Sequence, residues 1–92
     1  MFCNTELIRK IAEYVNANAV VEEFQYVVYI HYDELEPVFC ATRDEFLHHC
    51  YLMEQFGCFQ FCDDASLDLI TITALKSKLI VLLYLLGGPR SK

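Results

Sequence analysis

Glycine is scarce in this 92-residue chain, with three in all, at positions 57, 87 and 88. No Gly-rich loop can be built from them to wrap a phosphate in backbone N–H groups, which excludes the familiar nucleotide-binding motifs. Bases are scarce where acids are dense. Between His31 and Asp68 nine carboxylates face a single base, Arg43, whereas Leu69 to Lys92 holds four bases and no acid. With a net charge of −6, such a body repels nucleic acid, whose binders need a positive patch. No direct nucleic-acid binding is expected. The longest apolar run, Leu79 to Leu86, is eight residues, well short of the roughly 20 that a membrane span requires. Met1 to Glu6 has neither the basic start nor the apolar stretch of a signal peptide. Five cysteines are an odd number without secretory context, and no two form a Cys-x-x-Cys pair. Reduced thiols in a cytoplasmic protein away from membranes are the expectation.

What the chain has in excess is apolar surface. Hydrophobic residues make up 55% and aromatics 14%, which is rich for one small domain of this length. The sequence predicts a single domain over residues 1–92, with 89–92 as a flexible tail. The excess concentrates in Leu79-Ile80-Val81-Leu82-Leu83-Tyr84-Leu85-Leu86, stopped by Gly87-Gly88-Pro89. A helix that is apolar all round has no water face and must be covered on every side. With Leu75, Leu79, Leu82 and Leu86 turned inward, Ile80, Val81 and Tyr84 point away. Leaving three such side chains wet forfeits about 1.5–3 kcal/mol each. They are therefore the expected interface of a two-fold homodimer, the commonest symmetric assembly.

The local signals predict the order α-ββ-α-ββ-α, an α+β fold with a four-stranded, mostly antiparallel sheet made of two hairpins and with three helices. Asn4 or Thr5 caps a first helix whose Leu7, Ile8, Ile11, Ala12 and Val15 recur at helical spacing, with a stop at Asn16 to Asn18. Phe24 to Tyr32, aromatic and β-branched on both faces, reads as a central strand. Val38 to Ala41 reads as its hairpin partner across Asp33 to Pro37. Thr42-Arg43-Asp44-Glu45 is a capping box. It opens a helix to Phe56, with Phe46, Leu47, Cys50 and Met53 on its inner stripe. Cys58 to Cys62 and Leu67 to Thr73 read as the second hairpin, and Thr73 as the cap of the last helix.

His48, His49, Cys50, Cys58 and Cys62 lie close in sequence and invite a zinc reading. On an extended strand Cys58 and Cys62 would stand about 13 Å apart, too far for both to reach one ion at about 2.3 Å. Glu45-Phe46-Leu47-His48 has the Glu-x-x-His spacing of carboxylate-bridged metal helices, but only once, and Glu45 already serves the capping box. A Cys–His nucleophile drawn from Cys40 or Cys50 with His31, His48 or His49 is a matter of geometry that sequence does not supply. No cofactor or metal is assigned, and the chain is not expected to be an enzyme.

The outer side of the middle helix (His48, Tyr51, Leu52, Gln55), with Asp63, Asp64 and Asp68 nearby, joins an aromatic to carboxylates and suits a basic protein surface. The expectation is a non-catalytic acidic module, an inhibitor or adaptor of the kind viruses and mobile elements encode, that occludes a basic partner. DNA mimicry is the weaker version. The alternative is a small zinc- or thiol-dependent protein using Cys40, Cys50 and His48.

Overall fold

The computed structural model describes residues 4–23, 25–57 and 59–85. Phe24, Cys58, Leu86 and the expected tail at 89–92 lie outside the described residues. Helix α1 spans Thr5–Asn18. The Asn4 side chain caps it by accepting from the backbone N–H groups of Glu6 and Leu7 at 3.1 and 3.3 Å, which satisfies donors that have no intrahelical partner. Its apolar residues, Leu7, Ile8, Ile11, Ala12 and Val15, are buried as their spacing predicts. It stops at Asn18, within the expected Asn16 to Asn18, and the chain leaves through extended Ala19 without a left-handed cap.

Two short elements depart from the sequence reading. Strand β1 (Val20–Glu22) pairs with β2 (Gln25–His31) through a tight turn in which Glu23 is left-handed. It takes the place expected for Val38 to Ala41. That segment is no strand; a 3-10 turn at Tyr32–Glu34 leads into helix α2, Leu35–Phe39, and Cys40 ends it in the left-handed region. Pro37 does not prevent this, because a missing N–H costs little in a helix's first turn. Leu35 and Phe39, four apart, turn to the same side and are both buried.

Helix α3 (Arg43–Gln55) begins with both halves of the expected capping box. The Glu45 N–H donates to the Thr42 hydroxyl at 3.1 Å and the Thr42 N–H to the Glu45 carboxylate at 3.0 Å. Gly57, left-handed at φ +78°, lies just beyond its end. Strands β3 (Phe59–Asp64) and β4 (Leu69–Leu75) form the second hairpin. Helix α4 is Lys76–Leu85. Thr73 does not cap it, because Thr73, Ala74 and Leu75 stay in β4, paired with Val27, Tyr26 and Gln25.

The fold is thus α+β with a four-stranded antiparallel sheet in the order β1-β2-β4-β3. Four α-helices stand among the described residues instead of three. In register, Val28 and Ile72 meet on one face, as do Ile30 and Ile70. These join Phe59, Ala74 and the inner stripes of all four helices in one core. Of the alternate positions, Gln25, Tyr29, His31, Gln60, Cys62 and Leu75 are exposed, Asp64, Leu69, Thr71 and Thr73 half-buried, and Val27 buried. Helices therefore cover one face of the sheet and leave the other largely open.

Candidate functional site

Helix α4 is the first candidate surface. Leu79 is buried and Leu82 half-buried, while Ile80, Val81, Tyr84 and Leu85 are 53, 57, 74 and 75% exposed. The inward-facing set differs from expectation at one place: Leu75 belongs to β4 and is exposed. On one side of α4, against the start of α1 and the end of α3, runs a groove of about 640 Å³. Phe56, 79% exposed, lies on its wall.

The surface that sequence assembled from α3 and the acids divides in two. Tyr51 and Gln55 are exposed and joined by a 3.1 Å hydrogen bond from the Gln55 amide to the Tyr51 hydroxyl. His48 and Leu52 are half-buried. The acids belong with the other end of the helix, where Arg43 meets Asp63 at 3.0 Å. Tyr51 and Gln55 lie about 12 and 18 Å farther along the axis at 1.5 Å per residue. Asp63 itself is engaged. It shares the helix-covered face with Ile70, and it accepts from the Tyr32 hydroxyl as well as from Arg43. The Arg43 guanidinium also lies over the Tyr32 ring, 4.9 Å from its centroid.

Asp64 falls on the open face, in one row with Leu69 and His31. Its carboxylate accepts from the backbone and hydroxyl of Ser66. Asp68, left-handed in the β3–β4 turn, accepts the Tyr32 N–H at its carbonyl at 2.9 Å. Asp33, Asp68 and exposed Leu67 line one shallow depression with His31 and Tyr32. The acidic patch is thus Asp33, Asp64 and Asp68 around a leucine, at one end of the sheet.

The Tyr32 phenol is raised above the ordinary tyrosine value, chiefly because its hydroxyl donates to Asp63 and then by burial. Tyr14 is raised too, first by burial and then by its 2.9 Å hydrogen bond to Glu34. A phenol raised in the fold stabilises it below its unfolded pKa, and that contribution is lost as pH rises through the folded value. Stability should therefore fall above about pH 10. Tyr14→Phe combined with Tyr32→Phe should flatten that decline in denaturant titrations. An equal decline in the double variant would refute the assignment.

Among the described residues the cysteines and histidines are not gathered into one site. Cys50 is buried, and burial first, then the charges of Glu54 and Asp63, push its thiol far above the usual range; such a thiol is a poor nucleophile. Cys40 and Cys62 are exposed. His48 stands edge-on to His49. Among the described residues no three or more His, Cys, Asp or Glu side chains are grouped to hold a metal ion. None of the described helices is long and apolar enough to cross a membrane.

Sequence reasoning missed three features. His49 is 2% exposed on the inner side of α3. At 100° per residue it falls within about 60° of Phe46, a legible signal overridden by its polarity. The open sheet face was hidden because Tyr29, which is exposed there, reads as packed like its buried neighbour Val27. The groove along α4 joins three segments distant in sequence, and no local pattern announces it. No family model, curated protein or solved structure matches this chain.

Proposed function

We propose that this chain is a non-catalytic protein-binding module. It pairs with a second copy through the outer side of α4 and presents its acidic end to a basic protein, acting as an inhibitor or adaptor by occlusion. The observation that carries this reading is the exposure of Ile80, Val81 and Tyr84 on one short helix. Burying them is worth about 1.5–3 kcal/mol each, and Tyr84 is the aromatic type that anchors interfaces. Asp33 and Asp68 beside Leu67, with Asp64 next to them through its carbonyl's bond from the Leu67 N–H, supply the charge and apolar contact that suit a basic surface. DNA mimicry is less well supported, since Asp63 is already paired with Arg43.

Sedimentation equilibrium tests the first half. The wild type should be a dimer, and Ile80→Asp with Tyr84→Asp a monomer of unchanged circular dichroism. A wild type that stays monomeric at high concentration refutes the pairing. For the second half, a basic host protein should be captured in a salt-sensitive way and lost on Asp64→Lys with Asp68→Lys. Capture that survives this charge reversal would move the binding surface elsewhere.

A further inference from the structure

We propose that the groove beside α4 binds an anionic amphiphile, a medium-length alkyl carboxylate whose chain lies along the helix and whose head meets Lys78. This goes beyond the pairing and occlusion proposed above and does not depend on them. The groove, about 640 Å³, falls within the volume range of small-molecule sites, which are mostly apolar with a few placed polar groups. Ile8, Phe56, Val81, Leu82 and Leu85 line it. Along α4 it runs from Ser77 to Leu85, about 12 Å at 1.5 Å per residue, so its long dimension suits an alkyl chain.

The polarity is ordered along that length. Ser77 and Lys78 mark the α4 N-terminal end, and Leu85 the other. Lys78 is the one charged residue among those lining the groove, and no carboxylate lines it. The Lys78 Nζ lies 3.5 Å from where a Cβ on Gly57 would stand, which places the ammonium beside Gly57 on the groove's wall. Glu54 shares a neighbouring depression with Lys78 but forms no ion pair with it. In a chain of net charge −6, an anion is repelled from most of the surface. Here a cation without an ion-pair partner among the described residues and an apolar trough occur together. The charge complementarity selects a carboxylate head over a neutral or cationic one. Val81 belongs to both the groove and the pairing face, but Ile80 and Tyr84 lie about 150° and 110° round the helix from the mean direction of Val81, Leu82 and Leu85, so pairing can be perturbed at those two positions without altering the groove lining.

Calorimetric titration of the full chain with dodecanoate, below its micelle-forming concentration, tests this. One saturable site per chain is expected. Lys78→Glu should weaken it about tenfold or more, and dodecyltrimethylammonium should bind the wild type at least about tenfold more weakly than dodecanoate. Val81→Asp should abolish binding, whereas Ile80→Asp with Tyr84→Asp should bind dodecanoate like the wild type. Lys78 and Val81 are exposed, so these variants should fold; thermal melts check that. Equal affinity for the two head groups, or indifference to Lys78→Glu, overturns the proposal as unspecific apolar binding. Affinity that drops as protein concentration rises gives the groove to a second copy and overturns it too.

Discussion

Phe46→Ala should cost about 3–5 kcal/mol, the usual loss when a buried phenylalanine is truncated. Phe46 is fully buried at one end of an aromatic row that ties three helices together. Its ring stands edge-on to Phe39 of α2 at 4.9 Å between centroids, and Phe39 meets Tyr14 of α1 at 5.1 Å. Truncation removes apolar burial, leaves a cavity under α2, and ends a ring pair worth about 0.5–1.5 kcal/mol beyond its area. A small domain has only about 5–15 kcal/mol in total. The urea midpoint should fall by about 2 M with an unchanged slope. A fall below about 0.5 M would mean that the three helices do not depend on this row.

The second large effect is expected at His49. Its imidazole bridges two elements far apart in sequence. Nε2 accepts the backbone N–H of Asn4 at 2.8 Å, and Nδ1 lies 2.7 Å from the Glu45 carbonyl. Only the Nδ1–H tautomer satisfies both contacts, since an N–H must face a carbonyl and a lone pair must face an N–H. Asn4 caps α1, so this side chain of α3 fixes where α1 begins. His49→Ala should cost about 3 kcal/mol, from the cavity and the stranded Asn4 N–H together. Hydrogen exchange distinguishes this from general loosening: the amides of Asn4 and the first turn of α1 should exchange much faster relative to those of β2 and β4. Equal acceleration everywhere would reduce His49 to filler.

Much of the architecture could be read from local patterns because local physics decides it. The capping box at Thr42 and Glu45 closes within one turn, so no distant residue is needed to form it. The inner stripe of α1 and the alternation of Ile70 and Ile72 in β4 follow from periods of 3.6 and 2. Val38 to Ala41 was misread because a short apolar segment after a proline is consistent with strand or helix. Packing of Leu35 and Phe39 into the core resolved it. Val20 to Glu22 gives a weak strand signal, and it is a strand because β2 offers it an open edge to pair with.

Composition alone determined that the chain carries more apolar surface than its length readily hides, that this surface concentrates near the carboxyl end, and that a long middle stretch is acidic. These are sums and spacings that survive any arrangement of the elements. Only the tertiary structure decided that Asp63 engages Arg43 while Asp64 falls on the open sheet face and Asp68 is exposed, and that Tyr51 stands about 12 Å along α3 from the Arg43 end. It also brought Ile8, Phe56 and Leu85 to one groove with Lys78 at its end. Such outcomes depend on which elements pack together, and burial and electrostatics act through distances in space that separation along the chain does not specify.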